Sequence, residues 1–339
     1  MDKFSLLCFL ILCASQMGAQ TTVTPDSLNH AQELLSQGKL DQSLAVLNSL
    51  ASHDPEPAGT ERMRGFIYYQ QNNFAEADTA FAKALTQNPN DTEAMQLRGV
   101  TLFRMGRAAQ AIPLLEQAHA SVATVNIDPN YVLAVSYLQV KRYDDARRSF
   151  AAQYDFNPDS APAYLLAARM CFHQEYLPPA EEFANKALAL NHSLPLAHLL
   201  LGEIMLAKGD SANSIAEFKK EQEIDPLNGE IYDRLGDAYI RNGQYDEAQH
   251  ALNRAVLLEP NATGPYILLG KVLLNQQNPV MAGMYLERAL HMDPANYIPH
   301  ALLAQVYRLE GRKEDAAHEF QIAEKLQSAS PATPAAPDK

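Results

Sequence analysis

Between positions 232 and 260 the chain reads Tyr232-Asp233-Arg234-Leu235-Gly236-Asp237-Ala238-Tyr239, then Gly243-Gln244-Tyr245-Asp246-Glu247-Ala248, and closes with Ala255-Val256-Leu257-Leu258-Glu259-Pro260. Leu235, Tyr239 and Ile240 stand at helical spacing, which predicts a helix over roughly 230–241. Asn242-Gly243 ends it, because glycine enters the left-handed conformation without a Cβ penalty. A second helix is predicted over roughly 246–258, and Pro260 cannot continue it. The stretch encodes two helices joined by a tight turn.

Outward from this stretch the same unit recurs. Gly202, Gly236 and Gly270 are spaced by 34 residues, as are Leu235, Leu269 and Leu303, Ala248, Ala282 and Ala316, Ala255, Ala289 and Ala323, and Pro226, Pro260 and Pro294. Extending the frame gives nine units: 24–57, 58–91, 92–126, 127–160, 161–194, 195–228, 229–262, 263–296 and 297–330; only the third has 35 residues. Gly65, Gly99, Gly202, Gly236 and Gly270 fall inside a helix, where glycine costs about 1 kcal/mol against Ala, so their recurrence points to close packing. Gly38, Gly106, Gly209, Gly243 and Gly311 fall in the turn. In the second helix a small-residue column runs through Ala77, Ala111, Ala146, Ala180, Ala248, Ala282 and Ala316, with Ser43 and Ser214 in the other units. Large residues such as Tyr137, Tyr239, Tyr307, Phe81, Phe150 and Phe320 are expected to pack against it.

At these residues the pattern resembles the tetratricopeptide repeat family, with Tyr232 in place of the leading Trp. Departures are Gln153 and Glu221 for the late Ala and His192 for the closing Pro, while unit 24–57 keeps only Ala31, Gly38 and Pro55. The resemblance implies an all-α, right-handed superhelical solenoid of about nine antiparallel helix-pair repeats, with first helices lining a concave face. Such repeats are stable because neighbours cover their apolar faces, so end units turn polar. The helix expected over 314–326 fits, with Lys313 just before it and Glu314, Asp315, His318, Glu319, Glu324 and Lys325 on its outside.

The two ends read differently. Lys3, the apolar run from Phe4 to Cys13 and the small pair Gly18-Ala19 make residues 1–19 a secretory signal, expected to be cleaved after Ala19 and to send the protein to a secreted or periplasmic location. Ten apolar residues span about 15 Å as a helix, short of the ~30 Å hydrocarbon core, so no membrane span is expected in the mature chain. Residues 328–339 form a Pro/Ala-rich tail, expected to be disordered. The repeats occupy 24–330 between these ends. A net charge of −13 argues against a nucleic-acid partner, whose phosphates call for clustered Lys and Arg. Of three cysteines, two are Cys8 and Cys13, so there is no disulfide framework.

No phosphate loop, nucleophile elbow, His-Glu-x-x-His pattern or Cys-x-x-Cys pair occurs, so no catalytic, cofactor-binding or metal residue is assigned. His198 and His300 share a packing column with Tyr164, Tyr232 and Tyr266; His250 and His318 are expected to face solvent; Cys171 is expected to be a buried small hydrophobe. Sequons stand at Asn90, Asn191 and Asn261. What remains is the concave groove. Helical phase places in it Arg62, Phe66 and Tyr69; Gln96, Val100, Phe103 and Arg104; Tyr131 and Val135; and Leu165, Arg169, Phe172 and His173. Further on it turns acidic at Glu203, Glu230, Asp233 and Asp237, with Arg241 and Lys271 nearby. Aromatic residues and Arg dominate binding hot spots, and Arg grips carboxylates. The expected partner is a protein or peptide segment, acidic at one end and basic at the other, and the expected role is a scaffold or adaptor. The Lys/Asn clamp of chaperone-tail-binding family members has no counterpart at the matching columns. Alternatives are an accessory subunit of an envelope enzyme, secretion or polysaccharide-export complex, and a small-ligand or glycan receptor.

Overall fold

The computed structural model describes residues 25–118 and 128–329. The expected signal segment, and positions 330–339 of the expected tail, lie outside the described residues. Among the described residues the chain is all-α. The helices follow in pairs: α1 (Pro25–Ser36) and α2 (Leu40–Ala51), α3 (Thr60–Gln70) and α4 (Phe74–Gln87), α5 (Thr92–Arg104) and α6 (Ala108–Ala118). Next come α7 (Pro129–Gln139) and α8 (Tyr143–Gln153), α9 (Ala161–His173) and α10 (Leu177–Leu190), α11 (Ala197–Ala207) and α12 (Ser211–Ile224). The series continues with α13 (Gly229–Arg241) and α14 (Tyr245–Leu258), α15 (Thr263–Asn275) and α16 (Pro279–Met292), α17 (Tyr297–Leu309) and α18 (Lys313–Ala329). Ser328 and Ala329, expected to open the tail, still belong to α18, and the Ser328 hydroxyl donates to the Lys325 carbonyl at 2.9 Å.

Two compact units divide the chain, one up to Ser136 and one from Tyr137. In the first, α2 packs on α3 and α4 on α5, and the first helices α1, α3 and α5 touch in succession. In the second, α9, α11, α13, α15 and α17 do the same, and α10, α12, α14 and α16 each pack between two first helices. The first helices of each unit thus make one continuous face.

The mid-helix glycines admit the partner helix of the same pair. A Cβ on Gly65 would stand 2.6 Å from Phe81, one on Gly99 2.7 Å from Leu115 and one on Gly270 2.5 Å from Leu286; Gly202 and Gly236 face Phe218 and Leu252 in the same way. All five large side chains are buried. Ala168, in the glycine column, is matched by Ala184 where the others carry Phe or Leu. In the small column, the buried Ser43 satisfies its hydroxyl by donating to the Ala31 carbonyl at 2.7 Å.

Two departures from the repeat pattern compensate each other. With His192 for the closing Pro, α11 starts from Leu196 in a left-handed conformation, without a side-chain cap of its own. The buried Glu221 of α12 supplies that cap: its carboxylate accepts from the amides of Leu196 at 2.6 Å and Leu199 at 3.2 Å. Anionic acceptors at a helix N-terminus satisfy its free N–H groups and its dipole together.

The C-terminal helix departs from expectation twice. Phe320 is 60 % exposed, whereas Phe81 and Phe150 are buried: among the described residues α18 packs on α17, whereas α4, which carries Phe81, packs between α3 and α5. Glu319 turns inward to His300 at 2.6 Å.

Candidate functional site

In the unit up to Ser136, α1, α3 and α5 line an open cavity of about 290 Å³ on the first-helix face. Leu28, Leu35, Met63, Phe66 and Leu97 supply apolar walls, and Arg62 and Glu93 bring charge to its edge. Arg62 lies 3.1 Å from Asp91 and 3.0 Å from Glu93, so its charge is met within the protein. Asp91 is also fixed by capping α5 through the Ala94 amide at 3.0 Å. Arg62 thus lines the first-helix face as expected by phase, with Asp91 and Glu93 of the next repeat as its partners there. Adjacent repeats bring opposite charges within bonding distance, and the distinctive feature is a cavity of mixed lining, in which Gln32, Arg62 and Glu93 stand beside the apolar side chains.

At the far end of the same first helices, Tyr69 and Phe74 pack with ring centroids 5.7 Å apart, and the Arg104 guanidinium stands 5.1 Å from the Phe74 centroid. Arg104 is exposed, Phe66, Tyr69 and Phe103 are half-buried and Tyr131 is exposed. Gln96, Val100 and Val135 are buried and offer no side-chain surface to a partner. Helical phase assigned them to the groove, but Gln96 turns to its own second helix, donating to the Ala118 carbonyl of α6 at 3.4 Å, and Val100 and Val135 are buried. Phe74, missed as a candidate, opens a second helix; Tyr143 and Tyr245 at its register were the available signal.

In the unit from Tyr137, Arg169 and Phe172 are half-buried on α9, and Lys271 is exposed on α15. Asp233 of α13 takes the register position of the buried Leu199 and the half-buried Ile267 in flanking repeats. Its Oδ1 is buried with no hydrogen-bond partner among the described residues, and Gly264 of α15 lies against its carboxylate. Burial pushes its carboxyl up to about 6; the charges of Asp237, Glu230 and Glu259 reinforce this against Arg234. Arg234 lies 2.9 Å from Glu203 and 3.4 Å from Glu230, and Arg241 lies 3.0 Å from Asp237. Four carboxylates here meet two guanidinium groups, which leaves an acidic stretch on α11 and α13.

The histidine column is more than apolar packing. Tyr232 and Tyr266 donate their hydroxyls to the Pro226 and Pro260 carbonyls at 2.9 and 3.1 Å. His198 and His300 place Nε2 3.2 and 3.4 Å from the His192 and Pro294 carbonyls, and Nδ1 2.6 Å from Glu217 and Glu319. Cys171 is buried, which pushes its thiol up to about 12 and keeps it protonated.

Comparison with known proteins agrees with this architecture. Residues 66–279 match the model of the tetratricopeptide repeat protein 21 N-terminal ARM repeat, and residues 267–332 match a tetratricopeptide repeat model. The chain belongs to the tetratricopeptide repeat family, an all-α superhelical repeat fold whose surfaces serve protein–protein interaction. Among curated relatives, it is 25 % identical over 296 residues to the BBSome complex member BBS4 of Bos taurus, covering 87 % of this chain and 56 % of that protein. It is 22 % identical over 292 residues to anaphase-promoting complex subunit 3 of Schizosaccharomyces pombe, covering 86 % and 44 %. The chain thus spans about half the length of these relatives. A solved structure of YrrB, titled a TPR protein with an unusual peptide-binding site, is 22 % identical with a TM-score of 0.46, covering 55 % of this chain and 95 % of that one.

Proposed function

We propose that this protein is an interaction scaffold that holds a segment of a partner protein on its first-helix faces. In the unit up to Ser136, an apolar side chain of the partner enters the cavity between α1, α3 and α5. In the unit from Tyr137, the acidic stretch of Glu203, Glu230, Asp233 and Asp237, where four carboxylates meet two guanidinium groups, takes a basic side chain. The observation that carries the reading is the α1–α3–α5 cavity, because three successive repeats build it and Arg62 is already neutralised beside it. The curated relatives named above are both members of multiprotein complexes, which supports a place in an assembly. The signal-like residues 1–19 further suggest an envelope or secreted assembly.

The test is a crosslinked pull-down from the native source with residues 20–339, beside Phe66→Glu and Asp233→Lys variants. A partner held by the native protein and lost from Phe66→Glu, with circular dichroism unchanged, supports the reading. Equal recovery by Phe66→Glu overturns the cavity as the anchor, and equal recovery by Asp233→Lys overturns the basic contact. N-terminal sequencing of the protein from its source should begin at Gln20; an intact Met1 would end the secretory proposal.

A further inference from the structure

The outer face of α16 breaks a pattern that the neighbouring second helices keep. At three register positions near its start, α14 carries Asp246, Glu247 and His250, and α18 carries Glu314, Asp315 and His318, all exposed. α16 carries Val280, Met281 and Met284 at those positions, 65 %, 38 % and 61 % exposed. The core does not require them. α16 faces inward with Ala282, Leu286 and Ala289, as α14 does with Ala248, Leu252 and Ala255. Flanking repeats fold with charged residues in the same three places, so the fold alone gives no reason for an apolar trio.

Contiguous exposed apolar residues rimmed by polar ones mark interaction surfaces, and methionine adapts its shape to a partner. The rim here is acidic. Asp246 and Glu247 lie at this register on one side, and on the other Glu310, Glu314 and Asp315 stand against Arg312 and Lys313, three carboxylates to two cations. Arg312 is shared between Asp315 at 2.7 Å and Glu310 at 3.4 Å, and Asp246 accepts the neutral amide of Gln276 at 2.9 Å, so carboxylate charge is left over. On α16 itself Glu287 and Arg288 follow and cancel.

We propose that the outer face of α16 is a docking surface for a second partner segment, apolar at its centre and basic on both flanks. An amphipathic helix with Leu or Met between lysines has that form. The site belongs to a second helix and is independent of the first-helix contacts.

The test substitutes Val280→Glu, Met281→Asp and Met284→His together, giving α16 the residues that α18 already carries at these positions. A fluorescein-labelled helical peptide with a Leu/Met stripe flanked by lysines is titrated against residues 20–339 at physiological salt, with anisotropy as readout. Binding by the native protein, and at least ten-fold weaker binding by the triple variant, is the expected result. Because the triple variant adds two carboxylates, purely electrostatic attraction would strengthen; unchanged or tighter binding overturns the proposal. So does failure of the native protein to bind, or equal binding of a peptide with glutamates in place of lysines. Should the triple variant melt early, Met284→His alone is expected to weaken binding at least three-fold, and no change there counts equally against the site.

Discussion

At the residue scale, Asp233 and Glu221 are two carboxylates with opposite fates. Both stand where neighbouring repeats carry an apolar or small residue. Glu221 finds two backbone amides, whereas Asp233 Oδ1 finds none among the described residues. Folding raises the Asp233 carboxyl to about 6 from an ordinary 3.8, so the native state binds the proton more tightly than the unfolded chain. Stability therefore falls as pH rises from about 4 to about 6 and levels off above. Asp233→Asn should stabilise the protein by about 1–3 kcal/mol at pH 7.5 and by little at pH 4, measured by urea unfolding. An equal change at both pH values would show that burial does not control this carboxyl. Glu221→Ala should cost about 1–3 kcal/mol, because it leaves two helix-start amides without an acceptor. Hydrogen exchange at Leu196 and Leu199 should accelerate first; uniform acceleration along α11 and α12 would point to lost packing instead.

At the element scale, the helix pair depends on one close contact. An exposed helix glycine gains about 1 kcal/mol on replacement by Ala. Gly236→Ala should instead destabilise by about 1–3 kcal/mol, since the new methyl meets Leu252 of α14. In the double variant Gly236→Ala/Leu252→Ala the two costs should be less than additive, the arrangement Ala168 and Ala184 already use. Full additivity would count against the contact. The turns carry a second lesson. Gly38, Gly106, Gly209, Gly243 and Gly311 take positive φ between 73° and 82°, but Lys141, Glu175 and Gln277 take φ near 60° without being glycine. Gln277→Gly should stabilise by about 0.5–1 kcal/mol in thermal unfolding, because only glycine enters that region freely.

At the scale of the whole molecule, stability in a stack of repeats is a sum of nearest-neighbour terms. Gly236→Ala should raise hydrogen exchange in α11 to α16 and leave α3 to α5 unchanged. A uniform rise over both units would reject this locality.

The helix pairs, their turns and the glycine contacts were legible from the 34-residue period, because in a repeat stack each residue's surroundings are largely other copies of the same unit. The tie of His198 to Glu217 and of His300 to Glu319 was missed, and Glu319 was expected outside; the available signal was a glutamate 19 positions after each histidine, where Tyr232 and Tyr266 have Ala251 and Tyr285. Other features needed coordinates. Phase alone put Gln96, Val100 and Val135 on the groove side, yet all three are buried, and Gln96 bonds to α6 of its own pair. Phase put Arg62 in the groove but did not name its partner Asp91, which lies 29 residues away at a distance set by the packing of adjacent repeats. Local pattern thus determined which elements form and how each pair closes. Tertiary packing decided which side chains stay open to a partner, because exposure, pairing and the ionisation of Asp233 depend on side chains from other repeats as well as their own.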